Sequence, residues 1–167
     1  MSTGKVVKIG SRGSRLALLQ DEEVLRELRP LYPDVDFQVV TVRTRGDVNS
    51  AAPLTEIGVG IFVKEIEREL QEGRLDMAVH SLKDLPTKLP EGLALGAVLR
   101  RQDPRDVLVN RWNCPLDQLP QGARIGTSSP RRRAQLKRLC PQAVAVPIRG
   151  NVETRLRKAL GEECDGA

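Results

Sequence analysis

The sequence predicts an α/β protein made of two similarly built units, and three observations carry that expectation. Before His80 the apolar patterns run strand, helix, strand, helix, strand, an order that favours a parallel sheet with helical crossovers. Ile9-Gly10-Ser11-Arg12-Gly13-Ser14-Arg15 precedes one helical pattern, and Ile125-Gly126-Thr127-Ser128-Ser129-Pro130-Arg131 precedes another. The strand after each helix then leads to a similar turn, Arg45-Gly46-Asp47 in the first case and Arg149-Gly150-Asn151 in the second. Two echoes in the same order imply two α/β domains facing a shared cleft. The expected division is a first lobe over 1–100, a hinge at 101–105 and a second lobe over 106–167.

In chain order, Lys5 to Ile9 reads as a short strand and Gly10 to Ser14 as the turn after it, with Ser14 a helix N-cap. Ala17, Val24, Leu28 and Leu31 fall on one helical face, and Pro30 and Pro33 bracket the end of that helix. Val35 to Val39 alternates as a strand does and continues to Val42. A loop rich in Gly, Pro and small residues covers about 43 to 60. Phe62, Ile66 and Leu70 mark a second amphipathic helix, stopped at Gly73. Leu75 to Val79 is an apolar strand that delivers the chain to His80. Leu93 to Leu99 and Asp106 to Val109 read as two more strands, with Gln102-Asp103-Pro104-Arg105 as a hinge between them. Arg124 to Gly126 is a strand, Pro130 to Leu139 a helix, Ala143 to Ile148 a strand, and Asn151 to Leu160 a helix capped by Asn151. With so few strands, the second sheet reads as unfinished.

Composition narrows the function. The chain has 167 residues, 40% of them apolar and 29% charged, with a net charge of +5. No apolar run approaches the length of a membrane span, and the first residues lack the pattern of a signal peptide, so a cytoplasmic location is expected. The basic balance favours an anionic partner. Single-strand nucleic-acid binders stack bases on aromatic side chains, and this chain offers one Trp, one Tyr and two Phe, so no nucleic-acid partner is expected. The three cysteines, Cys114, Cys140 and Cys164, are widely spaced and odd in number. That suits reduced filler residues, and with a single histidine a zinc site is not expected. Gly58-Val59-Gly60 lacks the Lys-Ser/Thr of a phosphate loop and reads as a hinge or lid.

In open parallel sheets, ligands bind beyond the carboxyl ends of the strands, where helix N-termini favour anions. Ser11, Arg12 and Ser14 stand at one such place, and Thr127, Ser128, Ser129, Arg131, Arg132 and Arg133 at another. Arg149 follows a strand, and Arg155 lies one turn inside the next helix. Arginine grips carboxylates with paired hydrogen bonds, so the expected ligand carries several acidic groups. Successive helical residues point about 100° apart, so Arg131 to Arg133 cannot all face one ligand. Arg133, Lys137 and Arg138 read as a solvated face. In "AVHSLKDLP" (78–86), His80 is either a general base or a structural histidine, and Lys83 either an anion clamp or a surface residue. Asp84 is either a counter-ion or the negative group left to face a developing cation or a ligand N–H.

The stretches "IGSRGSRLALLQ" (9–20), "TRGD" (44–47), "GIFVKEIE" (60–67), "DMAVHSLKDLP" (76–86), "RQDPRDVLV" (101–109), "GTSSPRRRAQL" (126–136) and "IRGNVETRL" (148–156) together resemble the porphobilinogen deaminase (hydroxymethylbilane synthase) family of tetrapyrrole and haem biosynthesis. The resemblance implies three α/β domains, the first two like the lobes of type 2 periplasmic binding proteins; the expectation for this chain is the first domain and an incomplete second, without the third, cofactor-cysteine domain. It implies a transferase that joins four porphobilinogen molecules with loss of ammonia, growing the product on a dipyrromethane cofactor held as a cysteine thioether. Family members are usually monomeric.

By position, Asp84 matches the catalytic aspartate, which accepts pyrrole N–H bonds and faces the azafulvenium cation left as ammonia departs. Ser81, Lys83, Thr127, Ser129, Arg131, Arg132 and Arg155 match residues that hold the cofactor's acetate and propionate groups. Arg12, Ser14 and Arg149 match residues that face the substrate's acids, and Gly150 lets the backbone approach the ligand. Cys114, Cys140 and Cys164 lie outside the anchoring context, so the attachment cysteine is expected to be absent. Val59 stands where many bacterial relatives carry a lysine. A truncated deaminase is thus expected, its activity as this chain alone left open. The alternative is a non-catalytic binder of polycarboxylates.

Overall fold

The computed structural model describes residues 4–42 and 63–167. The Arg45-Gly46-Asp47 turn, the Gly58-Val59-Gly60 loop and Phe62 lie outside the described residues. The chain divides into two units, Met1–Arg100 and Arg101–Ala167.

In the first unit, β1 (Lys5–Ser11), α1 (Arg15–Leu31), β2 (Val35–Thr41), α2 (Lys64–Gln71) and β3 (Met77–Ala78) build a parallel sheet of order β2-β1-β3. β1 runs past the expected end at Ile9, because Gly10 and Ser11 pair with Val40 and Thr41. The bare backbone of Gly10 is what lets it pack: a Cβ there would collide with the Leu75 side chain and press on Ile66 at 3.1 Å. Ile9, Leu25, Val63, Ile66 and Leu75 are all buried in this unit.

The expected helical face of α1 needs correction. Its packed stripe centres on Asp21 and Leu25, with Ala17, Val24 and Leu28 half-buried, whereas Leu31 is 70% exposed. Pro30 and Pro33 bracket the helix end as expected, Pro30 lying inside the last turn. Pro33 disfavours helical conformation at the residue before it, and Tyr32 accordingly leaves the helix with φ −133° and ψ 67°.

α2 stops at Gly73 as expected. Gly73 has φ 69°, its N–H donates to Leu70 O (3.1 Å), and Arg74 N–H donates to Glu69 O (2.9 Å). That pair of reverse bonds is a Schellman ending, which needs the left-handed conformation glycine adopts without penalty. β3 is shorter than the predicted Leu75–Val79. Only Met77 and Ala78 pair with β1, flanked by single bonds from Asp76 N to Lys8 O (2.9 Å) and Val79 N to Gly10 O (3.3 Å).

The two strands expected over Leu93–Leu99 and Asp106–Val109 are not formed among the described residues. An apolar stretch becomes a strand only beside a partner that takes its backbone groups. Leu95 and Val98 are instead 51% and 66% exposed. Val109 exchanges two bonds with Ala167 (3.0 and 2.9 Å) and Arg111 N–H donates to Asp165 O (3.0 Å), which makes one isolated antiparallel bridge, Asn110 to Gly166, and no strand.

In the second unit, β4 (Arg124–Gly126), α3 (Pro130–Leu139), β5 (Val144–Val146) and α4 (Val152–Ala159) follow in order, and β4 pairs with β5 in parallel. β5 ends before the expected Ile148 because Pro147 has no N–H to donate, and the Ile148 N–H goes to the Ser128 hydroxyl (3.1 Å). One core holds Leu119, Ala123, Ile125, Leu136 and Cys140, and a second holds Ile148, Ala159 and Cys164.

Sequence reading overlooked residues 165–167. Gly166 bridges both Asn110 and Ile125, Gly126 N–H donates to Gly166 O (2.7 Å), and Asp165 N–H donates to Arg124 O (2.7 Å). The Asp165 carboxylate accepts from Arg124 N–H (2.8 Å) and pairs with the Arg111 guanidinium (3.2 Å). Those bonds hold its carboxyl below the usual range, the Arg124 N–H contributing most. Among the described residues no helix is long and apolar enough to cross a membrane.

Candidate functional site

In the first unit, the strand ends present two short segments. Ser14 caps α1, accepting from Ala17 N–H at 3.3 Å. The cap uses an acceptor lone pair of the hydroxyl and leaves its proton for another partner. Arg12, between β1 and this cap, is half-buried. After β3 the chain passes through half-buried His80 and Ser81 into a single 3-10 turn, Leu82–Asp84, closed by Asp84 N–H donating to Ser81 O at 2.9 Å. Lys83 is exposed on this turn and Asp84 is half-buried.

His80 reports on its neighbours. Burial holds its imidazole below the ordinary value, with the Asp84 carboxylate pulling upward and the Arg12 guanidinium pushing further down. The ring is therefore neutral at pH 7. The same interactions place Arg12 in one electrostatic neighbourhood with His80 and Asp84, as its distant sequence position alone does not reveal.

One further residue touches this segment. The side-chain amide of Gln20, on α1, meets the Ser81 hydroxyl with its nitrogen at 2.9 Å and its oxygen at 3.2 Å. The next residue, Asp21, is 1% exposed, and among the described residues neither carboxyl oxygen has a hydrogen-bond partner. The Ser11 hydroxyl beside it directs its proton to the Arg12 carbonyl (3.0 Å). Burial pushes the Asp21 carboxyl up, Ser11 opposes this, and Glu22 adds to it.

In the second unit, hydroxyls crowd the start of α3. Thr127 N–H donates to Val146 O (2.8 Å), and its Oγ1 accepts from Ser129 N–H (3.2 Å). Ser129 caps α3, accepting from Arg132 N–H at 3.4 Å. Ser128 is engaged structurally, donating to Ile148 O at 2.7 Å. Asn151 caps α4 as expected, its Oδ1 accepting from Thr154 N–H at 2.9 Å. Gly150 has φ 116°, and a Cβ there would sit 2.6 Å from the Thr154 methyl. A side chain at this position is both strained and obstructed.

The arginines separate by environment. Arg131 is exposed, and Arg149 is half-buried. Arg132 makes a two-pronged pair with Asp106, Nε to Oδ2 at 2.7 Å and Nη2 to Oδ1 at 2.6 Å. The hydrogen bonding to Asp106 raises its pKa, against a smaller effect of burial. Arg155 is half-buried, and its Nε donates to Gly150 O at 2.8 Å. Burial lowers its pKa, and the nearby Arg132 charge lowers it further. Among the described residues no carboxylate bonds Arg155. Two guanidiniums that repel one another, the inner without a carboxylate, form a place suited to an acidic group.

Sequence reading missed Gln20 and Asp106 as individual participants. Both lie inside quoted motif stretches, but no local spacing signals that Gln20 meets a hydroxyl 61 positions away or that Asp106 meets an arginine 26 positions away. Cys140 and Cys164 are buried thiols and Cys114 is half-buried.

Residues 7–167 match the family model described as porphobilinogen deaminase, dipyromethane cofactor binding domain. The chain is 49% identical over 161 residues to a porphobilinogen deaminase of Syntrophus aciditrophicus (strain SB), covering 96% of this chain and 53% of that protein. It is 51% identical over 166 residues to a porphobilinogen deaminase of Limosilactobacillus reuteri (strain DSM 20016), covering 98% and 54%. With a probable porphobilinogen deaminase of Pyrobaculum islandicum it shares 46% identity over 162 residues, covering 96% and 54%. The chain spans about half the length of these curated relatives. By the extent of these matches, the chain belongs to the porphobilinogen deaminase family.

Proposed function

We propose that the protein acts as a porphobilinogen deaminase of tetrapyrrole synthesis, a cytoplasmic transferase that condenses porphobilinogen with release of ammonia. The observation that carries this reading is the family match over residues 7–167. In this reading the units are lobes like those of type 2 periplasmic binding proteins, with 101–105 as a hinge.

Asp84 takes the central part. Its carboxylate accepts N–H bonds from the pyrrole and lies against the positive charge that develops as the amine leaves. A fixed negative group at such a place lowers the barrier by stabilising charge present only in the transition state. The neutral His80 beside it adds no competing cation. Arg12, Ser14 and Arg149 bind the substrate's acetate and propionate groups, and Gly150 leaves room for the ligand at the backbone.

The dipyrromethane group, when bound, supplies the pyrrole end to which the first substrate is joined. The residues present fit it: Arg155 lacks a carboxylate partner among the described residues and lies near Arg132, as a tetra-acid ligand requires. Ser81, Lys83, Thr127, Ser129, Arg131, Arg132 and Arg155 would hold its acidic arms.

Intact mass and ammonia release from porphobilinogen test the reading together. A mass above that of the bare chain with ammonia released supports it. A bare mass without ammonia release overturns it for this chain, and binding of porphobilinogen without release favours a polycarboxylate binder instead.

A further inference from the structure

We propose that Gln20 is a positioning residue that sets the Ser81 hydroxyl and, through it, the turn carrying Lys83 and Asp84; this rests on the reading above. Ser81 occupies the capping position of the Leu82–Asp84 turn, yet its side chain makes no bond to that turn. Its hydroxyl reaches instead to α1, where the Gln20 amide holds it at 2.9 Å from nitrogen and 3.2 Å from oxygen. The Ser81 carbonyl meanwhile accepts from Asp84 N–H at 2.9 Å. One residue thus ties α1 by its side chain and Asp84 by its backbone.

The polarity of the contact also has a use. A hydroxyl has one proton and two acceptor lone pairs. The Gln20 N–H occupies a lone pair and leaves the hydroxyl proton to be given away. In the structure that proton has the Gln20 carbonyl as its acceptor, at the longer distance. An arriving carboxylate is a stronger acceptor and takes it over while the N–H bond persists. Gln20 therefore presents Ser81 as a donor to an acidic ligand. The anchor is itself steady: Gln20 sits between the Ser14 cap and buried Leu25 on the same helix.

The test is a double-mutant cycle of Gln20→Leu and Ser81→Ala in the ligand-free chain, read by amide hydrogen exchange. Each single change is expected to speed exchange at the Asp84 amide by about tenfold, the scale of one net hydrogen bond. The double variant should be no faster than either single one, and the core amides of Ile9 and Leu25 should not move. Fold changes that multiply, or core amides that accelerate as much as Asp84, overturn the inference. Should Gln20→Leu fold poorly, Gln20→Glu serves instead. It keeps the acceptor but loses the N–H, and is expected to weaken retention of the dipyrromethane group, seen as a larger fraction of bare chain in the intact mass; an unchanged loaded fraction would count against the donor argument. If Ser81→Ala leaves porphobilinogen turnover intact while the exchange pattern holds, the ligand role of Ser81 fails and the positioning by Gln20 stands.

Discussion

The two units start alike and diverge in what they bury. Each has a strand with Ile-Gly at or next to its end, a serine-capped helix and a parallel strand. The caps are almost the same, Ser14 to Ala17 N–H at 3.3 Å and Ser129 to Arg132 N–H at 3.4 Å. Each glycine lies against packed side chains, Gly10 against Leu75 and Ile66, Gly126 against Ile148 and Cys164. The difference lies in charge. The helix of the first unit turns a carboxyl, Asp21, into the core, and the turn after β3 presents Asp84. The helix of the second opens with three arginines, and Arg155 follows on the next. In the proposed function, this shared frame serves opposite electrostatic tasks, a negative group for a developing cation and positive groups for acids.

The sharpest way to break that comparison is a pair of variants in protein that turns over porphobilinogen. Asp84→Asn should lower turnover by about 100-fold or more with melting temperature unchanged. Arg155→Leu should instead appear as loss of cofactor, seen in the intact mass. If both variants lose cofactor and neither slows the loaded protein, the division of labour is wrong.

The glycines come next. Gly10→Ala and Gly126→Ala should each destabilise the protein by about 1–3 kcal/mol through overpacking, measured by denaturant melts. The methyl at Gly126 would lie 2.8 Å from Ile148 Cδ1, whereas at Gly10 it overlaps Leu75 outright, so Gly10→Ala should have the larger effect. The reverse order would show that the first unit yields more easily.

A smaller effect tests the buried carboxyl that only the first unit has. The Asp21 pKa is raised on folding, so the folded chain holds this proton more tightly than the unfolded one. Its destabilising contribution is absent below the ordinary carboxylate range, grows as pH rises through that range, and is complete above the folded value. Asp21→Asn should flatten this part of the stability–pH curve, measured by denaturant melts across pH. An unchanged slope would mean that Asp21 ionises freely in the fold. The smallest expected effect is a symmetry: Ser14→Ala and Ser129→Ala should each cost about 1 kcal/mol, and a large inequality would break the likeness of the two caps.

Much of this frame was legible because it depends on local signals. Ser14, Ser129 and Asn151 announce helix starts by their short hydroxyl or amide side chains, and Gly73 announces a stop by its tolerance of positive φ. The strands at Leu93–Leu99 and Asp106–Val109 failed because a ladder is a property of two segments, and apolar composition reports only one. The end of β5 was legible in principle, since Pro147 breaks the ladder. Asp21 was invisible because a carboxylate on the core stripe of a helix contradicts the pattern used to find that stripe. Asp84, Arg12 and the arginines of the second unit were legible as charge at strand ends. Their roles came from the family resemblance, and Gln20 and Asp106 emerged only from long-range contacts.

The seam formed by residues 165–167 bears on how quickly the second unit assembles. Gly166 lies against Asn110 on one side and Ile125 on the other. Segments some fifty positions apart along the chain must therefore meet before the sheet around β4 is closed. Such closure carries a loop-entropy cost ahead of its reward and slows folding relative to local contacts. During synthesis β4 and β5 can pair early, but their outer partner emerges only after α4. Until residues 165–167 have emerged, one edge of β4 is bare, a period in which that edge is open to pairing with another chain.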